Sequence, residues 1–300
     1  ITLEDINAYE AKIVEPLSVT TSVGTLYNLP APTQGVASLL ILALFDKVQH
    51  LATAEAEFVH LLVECTKQAF IKRNQFVGDA SRLSVDLQSL LSAESLDNMR
   101  ADISLEHALP WPHQAKPGDT IWMGACDGEG RMVSYIQSIY WEFGSGVVSP
   151  QTGIVWNNRG TSFSLTPDSL QELAPGMKPF HTLNPAIALF KDGRVMAYGT
   201  MGGDGQPQTQ AAVYSRYAYY EDDLQTAINK PRWLLGRTWG NASESLKLES
   251  RFSDSYEESL TEKGHDVEPA HDTTGYGRGQ IILKNPETGV LCGGTEHRTD

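Results

Sequence analysis

Residues 119–147 read DTIWMGACDGEGRMVSYIQSIYWEFGSGV, and the character of the chain changes where they begin. Two strand-like segments lie in this stretch, 120–126 and 132–139. Just before them, residues 109–118 (LPWPHQAKPG) hold three prolines and a glycine, the composition of a linker or exposed loop. Upstream of that linker the chain reads mainly as helix. Thr2 and Asp5 have capping-box spacing ahead of a short helix over 3–11. Residues 17–29 are rich in Val, Thr and Tyr and predict a strand with a Gly break. The apolar run 36–48 predicts a buried helix, and 54–73 carries an apolar stripe of Phe58, Leu61, Leu62, Cys65 and Ala69 at helical spacing. Ser84 and Ser95 are candidate caps of short helices over 85–91 and 96–103. Downstream, strands are expected over 154–157, 187–191, 194–199 and 279–284, with helical patterns between 208 and 229. This order predicts a layered α/β fold of the α+β kind with an antiparallel sheet core, in place of a doubly wound parallel sheet.

Composition narrows the function classes. Lys plus Arg number 23 against 37 Asp plus Glu, so the formal charge of -14 argues against a nucleic-acid or anionic-membrane partner. The longest apolar run, 36–45, is shorter than the roughly 20 residues that cross a bilayer. Three widely spaced cysteines imply no disulfide framework and favour a reducing compartment. The chain starts at Ile1 without a basic-then-apolar leader, so targeting is not legible at this end.

Two segments are candidates for chemistry. At Pro117-Gly118-Asp119-Thr120 a flexible loop runs into a strand whose first residue carries a hydroxyl, although Gly-Asp before a strand is also a common plain turn. At 198–205 (YGTMGGDG) a glycine cluster follows a strand; glycines let backbone amides approach an anion. The cluster lacks the Lys-Ser/Thr ending of a phosphate loop and the spacing of a dinucleotide fingerprint. An oxyanion-binding turn or an ordinary tight turn remains.

Taken together, these segments resemble the gamma-glutamyltransferase family of N-terminal-nucleophile hydrolases. The resemblance runs through 2–17 (TLEDINAYEAKIVEPL), 29–42 (LPAPTQGVASLLIL), 119–147, 178–210 and 279–296, in the family's order. It implies an αββα sandwich with antiparallel central sheets. It also implies that 1–119 is the later part of a large subunit and 120–300 a small subunit. By this resemblance the Thr120 hydroxyl attacks the Asp119 carbonyl, an N-to-O acyl shift follows, and ester hydrolysis frees Thr120 as a new N-terminus. The liberated α-amine, with a reference pKa near 7.7 to 8.0, then serves as general base for its own hydroxyl, so no Ser-His-Asp set is needed. The amides of Gly202 and Gly203 take the oxyanion role, and Ser138 stands where the family places a Thr that hydrogen-bonds the nucleophile.

Departures from the family pattern bear on substrate. Tyr140 replaces an Asn, Arg159 and Ser162 fall where a Gln and an Asp grip the γ-glutamyl ammonium, and His181 and Thr182 replace paired serines. A guanidinium in place of an acidic clamp reverses the preferred charge and suits a carboxylate. With Asn158 beside Arg159, this pattern looks most like the oxamate amidohydrolase branch, implying hydrolysis of a small carboxylate-bearing amide such as oxamate to oxalate and ammonia. The rival readings are a γ-glutamyl hydrolase or transferase acting on glutathione, and a non-catalytic homologue used for binding or assembly. The bland alternative for Arg159 is an ion pair; for His181 it is a hydrogen-bonded structural ring. Expected partners are the small amide substrate and the large-subunit segment that precedes Ile1, in a heterodimer of processed subunits or a dimer of these. A cytoplasmic location is expected from the free thiols and a nitrogen-salvage substrate, with the periplasm as the alternative.

Weaker signals carry bland readings. His265, Glu268 and His271 have loose spacing among Gly, Pro and Asp and read as a polar loop, so no metal and no cofactor is expected. Asn241-Ala242-Ser243 is a glycosylation sequon by pattern only. Residues 216–220 (RYAYY) read as amphipathic packing, because the acids that follow repel phosphate. Cys65 reads as core, and Cys126 as core or pocket.

Overall fold

The computed structural model describes residues 2–113, 119–236, 243–269 and 275–298. Its helices are α1 (Leu3–Asn7), α2 (Gly35–Val48), α3 (Glu55–Phe76), α4 (Ala93–Ala101), α5 (Gly205–Tyr220), α6 (Leu224–Asn229) and α7 (Asp254–Glu262). The strands are β1 (Leu17–Thr20), β2 (Gly24–Asn28), β3 (Asp119–Cys126), β4 (Met132–Tyr140), β5 (Ala186–Phe190), β6 (Val195–Gly199), β7 (Trp233–Leu235), β8 (Leu246–Leu248), β9 (Val267–Pro269), β10 (Gln280–Lys284) and β11 (Leu291–Gly294).

An antiparallel six-stranded sheet, ordered β1-β2-β5-β6-β10-β11, forms the middle layer. Alternation along each strand gives it two working faces. Met196, Tyr198, Ile281 and Leu283 point to the helical side and join a core with α2, α3 and α5. Helix α2 is covered on nearly all sides, which accounts for its unbroken apolar run. On the opposite face lies the antiparallel hairpin β3–β4. There Gly199 makes room for Trp122: a Cβ at that glycine would come within 2.1 Å of the indole. Gly124 likewise lies against Ile282. The outer face of the hairpin carries Ile121, Met123, Val133 and Tyr135, which are 45–56% exposed. A small mixed sheet, β7-β8-β9, closes one end.

The layered α+β expectation holds, and several boundaries move. The Thr2 capping box forms, yet α1 stops at Asn7. The strand expected over 17–29 is two strands, folded back where the Thr21 N–H and hydroxyl both reach the Gly24 carbonyl. Residues 85–91 yield only a 3-10 turn, Leu87–Leu91, capped by Asp86 and not Ser84, because the carboxylate accepts from Gln88 N. Ser92 caps α4, and Ser95 is the amide donor to that cap. No strand forms over 154–157; a single bridge joins Val148 and Val155. Elements β7, β8, β9, β11 and α7 were not expected; most are three or four residues long, too short for a period to register.

Candidate active site

The register of β3 on β4 breaks at the residue of interest. Asp119 pairs with Tyr140 and Ile121 with Gln137, so Ser138 and Ile139 of β4 stand opposite the single residue Thr120, and the bulge lies in β4 facing it. Bulges re-aim a side chain, and they recur beside active sites. Next to the bulge, Tyr140 adopts φ 81°, a left-handed conformation costly for a bulky aromatic. The Tyr140 N–H donates to Ser138 Oγ at 2.8 Å, which ties the distorted residue to a hydroxyl within the bulge. Thr120 shares the inward face of β3 with Trp122, and Gln206 Nε2 donates to Thr120 Oγ1 at 3.3 Å. Gln206 is fully buried in the first turn of α5; only its place just after the glycine cluster could have flagged it in the sequence.

Gly202 and Gly203 follow β6 and lead into α5. Both have positive φ, 115° and 53°, so the turn needs residues without a Cβ. The Gly202 carbonyl accepts from Gly205 N at 2.7 Å. In a trans peptide the N–H opposes the C=O, so this bond turns the Gly203 N–H away from the helix axis. The turn abuts the N-terminus of a 16-residue helix, whose dipole favours negative charge. Behind it, Gln34 Nε2 donates to the Gly203 and Thr182 carbonyls at 2.9 and 2.7 Å. Arg73 donates to Gln34 Oε1 and pairs with Asp204 at 3.0 Å, so a brace from the first half of the chain holds the turn of the second.

The second group of residues is gathered by the 3-10 turn Arg159–Ser162. The Arg159 guanidinium is only 4% exposed and has no carboxylate partner among the described residues. It stacks over the Tyr140 ring at 4.0 Å, and its NH1 donates to Thr182 Oγ1 at 3.2 Å. Among the described residues NH2 is buried without a partner, as is Ser162 Oγ on the same turn. Burial pushes the Arg159 pKa down to about 10, so it stays charged at neutral pH. Asn158 anchors the loop, accepting from Trp141 N at 3.1 Å while its own N–H donates to the Ile139 carbonyl. His181 is held near pKa 4, chiefly by burial and then by the Arg159 charge. Its Nδ1 lies 2.5 Å from the Pro179 carbonyl, which can only accept. The neutral ring therefore carries its proton on Nδ1 and leaves Nε2 an acceptor.

A cavity of about 600 Å³ opens at Thr120, lined also by Ser138, Trp141, Met201, Arg278 and Gln280. Arg278, unremarked in the sequence, is its exposed cation. The glycine pair, Asn158, Arg159, Ser162, His181 and Thr182 are not among its lining residues. Tyr140, paired with Asp119 and stacked on Arg159, links the two groups.

Away from this site, His265 departs from its polar-loop reading: it is buried, with Nε2 2.8 Å from His60 Nδ1. His60, Glu64 and His265 bring ligand-type atoms within 4.8 Å of one another. Their atoms are satisfied by other groups, since Glu64 pairs with Lys67 at 2.7 Å and accepts from Leu109 N, and His60 Nε2 faces the Ser104 carbonyl. Glu268 is exposed and accepts from Ser245, while His271 and the Asn241 sequon lie outside the described residues, as does the end of the linker at 114–118.

Comparison with known proteins places the chain in a family. A family model described as gamma-glutamyltranspeptidase matches residues 1–300. The chain is 51% identical to the oxamate amidohydrolase proenzyme of Klebsiella pneumoniae, covering 100% of this chain and 57% of that one. It is 35% identical to a glutathione hydrolase-like proenzyme of Bacillus subtilis, again over 57% of the relative. Among solved structures, a cephalosporin acylase from Bacillus halodurans superposes with a TM-score of 0.88 at 35% identity, over 100% of this chain and 54% of that one. The chain thus spans a little over half the length of these relatives. On the full-length family match and the layered fold, this chain belongs to the gamma-glutamyltranspeptidase family, whose fold is that of the N-terminal-nucleophile hydrolases.

Proposed function

We propose that this chain is the catalytic portion of a self-cleaving amidohydrolase whose substrate is a small amide bearing a carboxylate, with oxamate the best fit. The observation that carries the reading is the buried Arg159, which has no carboxylate partner among the described residues and whose NH2, like the neighbouring Ser162 hydroxyl, has no partner among them. A buried cation left unpaired is expensive, and a ligand carboxylate is the natural group to neutralise it. The 51% identity to a protein named oxamate amidohydrolase proenzyme supports the same substrate.

In the proposed sequence, Thr120 Oγ attacks the Asp119 carbonyl, the peptide becomes an ester, and water releases the Thr120 amine. That amine then takes the hydroxyl proton as Oγ attacks the amide carbon of oxamate. The amides of Gly202 and Gly203 hold the oxyanion, the proton passes to the departing nitrogen as ammonia, and water hydrolyses the oxalyl ester to oxalate. The Asp119–Thr120 bond thus separates a large-subunit part, 1–119, from a small subunit, 120–300. It is a processing boundary and not a packing boundary, because β1 and β2 share one sheet with β5 and β6. We assign the exposed apolar outer face of β3–β4 to contact with large-subunit sequence preceding Ile1. Subunits from one precursor make a heterodimer, and the three free thiols favour the cytoplasm.

Intact-mass analysis and ammonia release test the reading. The purified protein should resolve into two polypeptides, one starting at Thr120, and should liberate ammonia from oxamate; Thr120→Ala should abolish both. Turnover of a γ-glutamyl anilide in place of oxamate would transfer the assignment to the glutathione-type reaction. An unprocessed, silent protein would support the binding homologue.

A further inference from the structure

The two oxyanion amides are not held alike. The peptide plane carrying the Gly203 N–H is fixed by backbone, through the Gly205 N to Gly202 O bond. The plane carrying the Gly202 N–H contains the Met201 carbonyl, and among the described residues that carbonyl accepts from one group, the Thr200 hydroxyl, at 3.0 Å. Thr200 is fully buried. Its oxygen accepts from Arg278 N at 2.7 Å, so that lone pair is occupied and the hydroxyl hydrogen is directed to Met201. Because C=O and N–H oppose each other across a trans peptide, the carbonyl's hydrogen bond sets where the Gly202 N–H points. Gly202, at φ 115°, has no side chain to restrict it otherwise.

Resting on the N-terminal-threonine reading above, we infer that Thr200 is a positioning residue, whose hydroxyl aims the Gly202 amide at the oxyanion without touching substrate. The arrangement also connects this amide to the cavity wall, since the donor to Thr200 is the backbone of Arg278, whose side chain lines the cavity. A valine keeps the shape of threonine and deletes the bond; a serine keeps the bond and deletes a methyl.

The test measures acylation of Thr120 in the full-length, processed enzyme with two probes: p-nitrophenyl acetate, read as a burst and by intact mass, and oxamate, read as ammonia. Thr200→Val should slow acylation by both probes about 10- to 100-fold with KM within about twofold, the signature of a transition-state interaction. Thr200→Ser should recover most of the rate. Wild-type rates in Thr200→Val, or an equal loss in Thr200→Ser, would overturn the inference, since the hydroxyl would then not be what matters. Should Thr200→Val fail to fold, Thr200→Ala against Thr200→Ser decides by the same criterion. Wild-type enzyme acylated by the ester but inert to oxamate would sink the substrate assignment alone and leave the ester data to judge Thr200. Wild-type Thr120 that neither probe acylates would sink both.

Discussion

Arg159 illustrates how one side chain can carry a substrate argument. A guanidinium has five donors in a fixed plane; here one is spent on Thr182 and the face is spent on the Tyr140 ring. The unpartnered NH2 remains as a charge-assisted donor in a dry setting. Such a bond to a charged ligand is worth on the order of 1.5–3 kcal/mol, so Arg159→Ala should raise KM for oxamate by about 10- to 100-fold. Steady-state ammonia release reports this directly. Arg159→Lys should recover only part of the affinity, because an ammonium lacks the planar fork. Processing at Asp119 should proceed in both variants, as followed by intact mass. Unchanged KM in the alanine variant would return Arg159 to a structural role and remove the case for an anionic amide.

At the scale of the element, the hairpin β3–β4 presents Thr120 through two features that must coexist. The bulge in β4 sets Ser138 and Ile139 opposite Thr120, and the alternation of β3 sends Thr120 and Trp122 to the same inner face. Trp122 is the anchor: it is 4% exposed, and its Nε1 donates to Ser134 Oγ at 2.9 Å. Its seat is Gly199, the last residue of β6 before the glycine turn. Gly199→Ala would put a methyl inside the indole contact, and overpacking of this kind costs about 1–3 kcal/mol. A lower Tm with slowed self-cleavage is expected, read by calorimetry and by the time course of the two polypeptides. Replacing Trp122 by a smaller aromatic in the same variant should restore part of the loss. An isolated Gly199→Ala with wild-type Tm and cleavage would show that the hairpin does not depend on this seat.

Across the whole molecule, three buried histidines impose an acid limit. His60 and His265 are held near pKa 4 and 2, mainly by burial and then by neighbouring cations, and His181 near 4. The unfolded chain binds these protons at about pH 6.5, so between that pH and about 4 the unfolded state holds more protons than the native one. Stability is therefore complete above pH 6.5 and falls as the pH drops through this window. A loss on the order of 1–2 kcal/mol per ring by pH 5 is expected. Chemical denaturation from pH 7.5 to 5 measures it, and His265→Asn, which keeps a hydrogen-bonding side chain, should flatten the curve. A stability that is level over that range would refute the neutral-ring assignment. The pair joins α3 to the segment ahead of β9, so acid weakens a contact between the two halves of the chain.

Part of this fold is legible in the amino-acid sequence. The strand opening at Thr120, the glycine turn after a strand and the wholly apolar α2 are local features, and local pattern encodes them. What sequence could not decide was relational. Whether Arg159 has a carboxylate neighbour depends on groups far along the chain, and so does the burial of His265 against His60. The bulge facing Thr120 depends on the register of a second strand, the service of Gln34 and Gln206 on contacts across 169 and 86 residues, and that of Thr200 on a loop 78 residues away. Side-chain period reports which face is dry; only packing decides which polar groups meet there and which are left for a ligand.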